Sequence, residues 1–273
     1  MPHIFPEMKD SINESMKEYL GGFEIISLDE VREKAALMKR IDTKFALNTK
    51  KLKQILIDCR DHYRIVDIDG NRLLGYETTY FDTDTFAFYH AHQSGRLNRI
   101  KVRTRKYVYT DTLFLEVKHR LNKGNTQKIR KALISGETEP LTYLTDPVFE
   151  QVGTFLNDPL FEKVRVSYDR ITLVSKKDIE RVTIDTDLHF STPEKTVHFP
   201  YYAVAEVKQM TRSASFFKNM MKKNQSIDHT LSKYCLGVSH LFDDVKKNRF
   251  KDVISKLNKS GFYGIFTGTE ECA

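Results

Sequence analysis

The chain has no tryptophan, and only 3 cysteines, 7 prolines and 12 glycines among its 273 residues. Cys59, Cys235 and Cys272 lie far apart, with no C-x-x-C spacing and no even set. A disulfide framework is therefore not expected, and the three read as reduced thiols of a cytoplasmic protein. A chain this long buries roughly three quarters of its unfolded surface and needs no such staple. No window approaches about 18 uncharged apolar residues, and the N-terminus MPHIFPEMKD lacks the basic stretch and apolar run of a signal peptide. Neither a membrane span nor secretion is expected. Also missing are G-x-x-x-x-G-K-[ST], G-x-G-x-x-G and G-x-S-x-G, which argues against P-loop, dinucleotide and hydrolase-elbow chemistry. If this chain handles phosphate, side chains must do what a glycine-rich backbone does elsewhere.

What is abundant is charge. Lysine and arginine total 44 against 37 acids, a net +7 that favours an anionic partner. No repeat or low-complexity tract interrupts the chain, so it reads as consecutive elements of a compact fold. Residues 9–20 have helical character and stop at Gly21-Gly22. MKRIDTKFAL alternates as a strand, and Asn48 is placed to cap a helix in TKKLKQILIDCRDH. Alternating β segments then follow: RIVDID, LLGYETTYFDT, AFYHAH, NRIKVRTRKYVYT, DTLFLEVKHR, EKVRVSYDRITLVS, ERVTIDTDLHFS and YYAVAEVKQM. LNKGNTQKIRKALI and residues 148–156 read as helical or loop insertions. From Ser213 on the period is helical again, and Phe216, Phe217, Met220 and Met221 form one apolar face. The whole argues for an α+β protein built around a large antiparallel sheet or barrel.

The charges share faces. Arg99, Lys101, Arg103 and Arg105 fall on one side of one strand, about 6.6 Å apart, with Ile100, Val102 and Thr104 on the other. Neighbouring cations at that spacing repel by about 0.6 kcal/mol in water and about 2.5 kcal/mol at an effective dielectric of 20. Open to solvent such a row is tolerable; in a cavity it demands anions. Arg40, Asp42 and Lys44, Glu116 and Lys118, Arg181, Thr183, Asp185 and Asp187, and Glu206 and Lys208 repeat the arrangement. Ordinary sheets also turn such residues to water. Recurrence, with few carboxylates among many cations, is what metal-assisted phosphate chemistry requires: carboxylates hold Mg2+ or Mn2+, and cations offset phosphoryl charge. His90 and His92 form an H-x-H on the expected strand AFYHAH, without a third ligand at metal-site spacing. Cys235 reads as a helix core residue rather than a nucleophile. Asp185 and Asp187 either assist a metal or pair with cations, and Glu116 reads first as a salt-bridge partner.

Eight short motifs occur in a fixed order: R-x-D-x-K-F (Arg40 to Phe45), T-x-Y-F-D-T (Thr78 to Thr83), K-V-R-x-R-x-Y (Lys101 to Tyr107), L-E-V-K (Leu115 to Lys118), Y-x-R (Tyr168 to Arg170), R-V-T-I-D-T-D (Arg181 to Asp187), A-E-V-K (Ala205 to Lys208) and L-S-K-Y (Leu231 to Tyr234). In this order they resemble the VTC domain, the catalytic domain of the vacuolar transporter chaperone complex and of bacterial stand-alone relatives, within the triphosphate tunnel metalloenzymes. The resemblance covers residues 30–240, with 1–29 as an N-terminal helical segment and 241–273 as a C-terminal helical tail. It implies an antiparallel β tunnel, a closed barrel of about eight strands with a basic lumen. By motif, Lys44, Arg103, Arg105, Lys118, Arg170, Arg181, Lys208 and Lys233 would bind phosphates, joined by Arg99 and Lys101 from the charged row, and Glu206 would hold Mn2+ or Mg2+. Arg96 is an alternative to Arg99. The sister CYTH branch carries E-x-E-x-K where this chain has Arg40, Asp42 and Lys44, which disfavours triphosphatase and cyclase chemistry. The phosphate-sensing SPX domain and membrane helices of the eukaryotic complex are not expected here.

The resemblance implies a polyphosphate polymerase that transfers the terminal phosphoryl group of a nucleoside triphosphate to a polyphosphate chain, with Lys44, Arg103, Arg105, Lys208 and Glu206 as its catalytic set. Two alternatives stay open: hydrolysis of tripolyphosphate or nucleoside triphosphates in the same tunnel, and a non-enzymatic module that binds nucleic acid or another polyanion on its basic strands, with Tyr107 and Tyr109 available for stacking.

Overall fold

A computed structural model describes residues 16–35, 41–122, 126–133, 158–211, 213–228, 232–259, 261–262 and 264–268. Arg40, Leu231, Cys272 and the insertion expected at 148–156 lie outside the described residues, as do residues 9–15 of the first expected helix, whose residues 16–20 are helical.

Strands β1 (Ile25–Ile26), β2 (Ile41–Asn48), β3 (Tyr63–Val66), β4 (Leu74–Asp82), β5 (Arg99–Tyr107), β6 (Thr112–Arg120), β7 (Thr126–Leu133), β8 (Phe161–Ser175), β9 (Glu180–Ser191), β10 (Lys195–Phe199), β11 (Tyr202–Gln209), β12 (Ile227–Asp228) and β13 (Ile265–Gly268) form one sheet. Its main path runs β12-β2-β11-β9-β8-β4-β5-β6-β7. The ladders along this path are antiparallel, and β1 with β3 is a parallel pair. Eight long strands on this path match the number expected, but the hydrogen bonds of the described residues do not close a barrel: β7 and β12 end the path without pairing to each other.

Helices cover the outer face. In α2 (Thr49–Cys59), capped by Asn48 through a 2.9 Å bond from Lys50 N to Oδ1, the residues Leu52, Ile55 and Leu56 recur at helical spacing and are buried. They and Phe217, Met220 and Met221 of α4 (Phe216–Lys223) pack on Ala203, Ala205 and Val207 of β11 and Val182 and Ile184 of β9. Complete burial of each such aliphatic side chain is worth about 1.5–3 kcal/mol. Since strand side chains alternate, covering these odd positions of β11 and even positions of β9 turns Glu206, Lys208, Arg181 and Thr183 to the inside. Helix α1 (Leu28–Ala35) precedes β2; α6 (Lys251–Lys259) follows the helices described below, and β13 pairs with β10. No helix among the described residues is long and apolar enough to cross a membrane. Cys59 and Cys235 are buried free thiols.

Helix α5 (Lys233–Leu241) fills one end of the concave face. A Cβ on its Gly237 would fall 2.8 Å from the Phe190 ring and 2.9 Å from Val164, so glycine is what lets the helix lie against β8 and β9. Leu236, Val238 and Leu241 share a core with Val164, Val166, Leu188 and Phe190. The inner face thus has an apolar half under α5 and a charged half that stays open.

Three local readings are corrected. AFYHAH is not a strand: it is most of α3 (Ala87–Gln93), so His90 and His92 do not share a strand face. Buried Asp82 explains the change, because Oδ1 accepts from Thr83 N (2.8 Å) and Phe88 N (2.9 Å) and Oδ2 from Tyr89 N (2.9 Å), caging the first turn. The stretch around Lys128 is strand β7, not an insertion, and extends the ladder of β6. Asp187 does not share a face with Asp185. Its backbone is left-handed (φ 51°) and the β8–β9 register shifts between Ser167 and Asp169, so alternation inverts there. Leu188 and Phe190 turn inward beneath α5, and Asp187 turns out.

Candidate active site

The open half of the concave face is a cavity of about 820 Å³ lined from β2, β4 to β9, β11 and α5. Eleven lysines and arginines line it against four carboxylates, Asp42, Glu116, Asp185 and Glu206. That excess of seven equals the net +7 of the entire chain, so the rest of the sequence is electrically balanced. The cavity is where this protein's charge resides.

Nine of the ten expected phosphate-binding residues line this cavity: Lys44 from β2, Lys101, Arg103 and Arg105 from β5, Lys118 from β6, Arg170 from β8, Arg181 from β9, Lys208 from β11 and Lys233 from α5. Arg99 does not. It lines a smaller adjoining cavity of about 160 Å³ with His92 and Arg120, and Lys101 and Lys118 belong to the walls of both. Arg96 is exposed and takes no place in either wall.

Register across β5, β6 and β7 orders the charges in rows. Arg103, Glu116 and Arg130 lie opposite one another, and so do Lys101, Lys118 and Lys128. In the first row Glu116 is the hub: its Oε2 is 2.7 Å from Arg103 Nε, 2.6 Å from Arg103 Nη2 and 3.8 Å from Arg105 Nη1, and its Oε1 is 3.6 Å from Arg130 Nε. Burial would raise its pKa; the arginines overcome this and hold it below the usual range. Its salt-bridge reading stands. In the second row three ammonium groups stand side by side. Burial pushes Lys101 down to about 7, with Lys44, Lys118 and Arg103 acting in the same direction. Among the described residues no carboxylate lies within ion-pair distance of Lys44, Lys101 or Lys118.

Across the cavity Arg170 grips Asp185 with two bonds, Nε to Oδ1 at 2.6 Å and Nη2 to Oδ2 at 2.8 Å, and Lys233 Nζ donates to the same carboxylate. Burial opposes ionisation of Asp185, yet Arg170 and Lys233 hold its pKa far below the carboxylate norm. Of its two sequence readings, pairing with cations is the one the geometry shows. Tyrosine faces back the guanidinium groups: Arg170 lies 4.9 Å from the Tyr76 ring centre and Arg103 5.9 Å from that of Tyr80. Arg103 Nη1 also donates to Tyr80 Oη at 3.2 Å.

Glu206 lies opposite Lys44 on β2 and Thr183 on β9. Its Oε2 accepts from Lys208 Nζ at 3.1 Å, while Oε1 has no hydrogen-bond donor among the described residues. Burial raises its pKa, but Lys208 and then Lys44 hold it well below normal. An ionised carboxylate with an open oxygen in a cavity wall suits Mg2+ or Mn2+, which take one or two protein carboxylates and complete their shells with water and phosphate oxygens.

Sequence reasoning missed Arg130, Tyr76 and Tyr80 as wall residues. Lys128 and Arg130 share one parity with Ile129 between them, just as a strand requires, and Tyr76, Thr78 and Tyr80 share one parity in β4. Both signals were present in the residue pattern.

A curled antiparallel sheet with a cation-lined cavity and few carboxylates is the architecture of a polyanion-handling protein. Residues 39–242 match the VTC domain family, three quarters of the chain, and the protein belongs to that family. No curated protein matches it in sequence. Among solved structures it is similar to a candidate adenylate cyclase from Bacillus halodurans (14% identity, 76% of this chain and 100% of that one, TM-score 0.46). It is also similar to a candidate adenylyl cyclase from Hippeastrum described as having a dominant triphosphatase activity (12%, 74% and 96%, 0.44) and to a candidate adenylate cyclase from Vibrio parahaemolyticus (10%, 73% and 98%, 0.43).

Proposed function

We propose that this protein is a metal-dependent polyphosphate polymerase, transferring the terminal phosphoryl group of a nucleoside triphosphate to a polyphosphate chain. We assign residues 30–240 as the catalytic unit, its strands wrapped as a tunnel, flanked by 1–29 and 241–273. The carrying observation is the cavity's eleven cations against four carboxylates. Such a wall repels itself when empty and is completed by a long polyanion.

Arg103, Arg105, Arg170 and Lys208 would hold and orient the triphosphate. Their geometry is fixed before substrate arrives by Glu116, Asp185, Glu206 and the tyrosine faces, so little reorganisation is needed as charge develops on the transferring group. Arg181 and Lys233 would extend the contact along the chain of phosphates. Mn2+ or Mg2+ held by Glu206 would supply Lewis-acid charge to phosphate oxygens. Lys44, Lys101 and Lys118, which have no carboxylate at ion-pair distance among the described residues, would carry the polyphosphate acceptor, and Arg99 would continue that path in the adjoining cavity.

The same acids speak to the choice between polymer and water. Hydrolysis is assisted by a general base with a pKa near the working pH. Glu116, Asp185 and Glu206 are each held below the usual carboxylate range by cations, which makes them weak bases. A phosphate acceptor is already anionic and needs no base. Charge gathered inside a cavity, with a balanced exterior, likewise favours a threaded polyanion over a nucleic-acid duplex, which calls for an open basic surface. Incubation with ATP and Mn2+, with separate assays for polyphosphate and orthophosphate, tests the proposal. Polymer from the native protein and none from Glu206→Gln supports it; orthophosphate alone contradicts it.

A further inference from the structure

The inversion of β9 at Asp187 builds a second constellation on the outer face, away from the cavity. His189 on β9 and His198 on β10 are directly opposed in the ladder, and their rings stack in parallel, 3.9 Å between centres with a 3° interplanar angle. Asp187 Oδ1 lies 3.2 Å from His189 Nε2 and 2.8 Å from His198 Nε2. The three donor atoms all lie within 4.8 Å of one another. Val197 and Phe199, flanking His198 in β10, and Leu188 and Phe190, flanking His189 in β9, are buried in the core beneath α5, which fixes the two histidines outward.

We propose that Asp187, His189 and His198 form a binding site for a zinc-class divalent transition metal, separate from the phosphate cavity and from any metal held by Glu206.

Donor spacing supports this first. A tetrahedral ion with bonds of about 2.0–2.1 Å holds its ligand atoms roughly 3.3 Å apart, and the separations from Oδ1, 3.2 Å to His189 and 2.8 Å to His198, lie just below that value. Small rotations of the histidines would suffice, because opposed cross-strand residues already hold their Cβ atoms about 5 Å apart. Donor chemistry supports it second. Two imidazoles and one carboxylate suit Zn2+, Co2+ or Ni2+, whereas Mg2+ takes oxygen ligands. The outer cluster and the carboxylates of the cavity would therefore select different metals. Access is the third point. The Asp187, His189 and His198 side chains are 12%, 28% and 13% exposed, so a dissolved ion can reach the donors and keep water in a fourth position. Bound there, the metal would clip β10 to β9 on the side of the sheet opposite α5.

The test uses the 273-residue chain without appended histidines, stripped by a chelator and titrated with Zn2+ while binding and melting temperature are followed. We expect one zinc per chain, a melting temperature that rises with zinc, and an imidazole-ligated absorption band when Co2+ is used. His189→Asn and His198→Asn should each weaken zinc binding by more than about 100-fold, since losing a ligand exceeds the roughly 10–100-fold effect of losing a group behind one. Glu206→Gln should bind zinc as the native protein does, which separates this site from the proposed active site whether or not polymer is made. Absence of zinc binding at micromolar concentration, or equal binding by native and His198→Asn protein with matching circular dichroism, would overturn the proposal.

Discussion

Lys101 and Lys118 lie directly opposite each other on β5 and β6, two ammonium groups paired across a ladder with Lys128 next in the row. Like charges in that relationship disfavour the fold, and burial adds to the penalty, as the lowering of Lys101 to about 7 shows. An arrangement that costs stability in this way is most simply explained by a ligand that completes it.

Lys101→Met should therefore stabilise the free protein while weakening its hold on polyphosphate. Removing one opposed like-charge pair is worth about 0.2–1 kcal/mol, which for a protein of this size is a rise of up to roughly 2–4 °C in melting temperature. Thermal melts with and without tripolyphosphate check both halves. A lower melting temperature with unchanged binding would make Lys101 structural.

Affinity should fall as the solution becomes more alkaline. Lys101 titrates near 7 in the free cavity, and Lys118 and Lys208 are likewise lowered by burial. A bound polyanion stabilises the protonated lysines and raises their pKa, so binding takes up protons above pH 7 and weakens as pH climbs from about 7 to 9. Free-protein stability has the opposite sign. Lys101 binds its proton more weakly when folded than at its ordinary 10.5, so the unfolded chain holds more protons and stability rises with pH across that interval. Calorimetric titration in buffers of different ionisation enthalpy measures the proton uptake directly; zero uptake at pH 8 would contradict this assignment.

Asp185 anchors Arg170 and Lys233, so Asp185→Asn leaves two buried cations without their counter-charge. Breaking a buried pair in this way costs about 3–5 kcal/mol, and the variant should melt well below the native protein at pH 7. Because the folded pKa of Asp185 is depressed from an ordinary 3.8, its contribution is present above about pH 4 and is lost as pH falls further. The gap between the two proteins should narrow in acid. A gap independent of pH would remove the carboxylate charge from the explanation.

Much of this cavity was legible in the sequence because period-two alternation is rigid: once aliphatic residues were assigned to the helix-covered face, Lys101, Arg103 and Arg105 had to face the other way. Three things were not legible. Asp82 supplies a cap through three backbone N–H groups that no alternation records, and so His90 and His92 were read on a strand. The left-handed residue at Asp187 inverts a parity that the residue types alone carry straight through, which hid the histidine cluster. Ladder closure depends on edge pairing between segments far apart in the chain, and the paired strands stop at β7 and β12.

In the proposed reaction the acceptor in this cavity is phosphate polymer and not water. Its most direct test is the phosphorus balance of the purified protein with ATP and Mn2+, followed by 31P spectroscopy with ADP measured in parallel. For the proposed polymerase each ADP formed should be matched by one phosphate in polymer signals, orthophosphate should stay minor, and added short polyphosphate should be lengthened. Orthophosphate equal to ADP, with added primers left unextended, would contradict it.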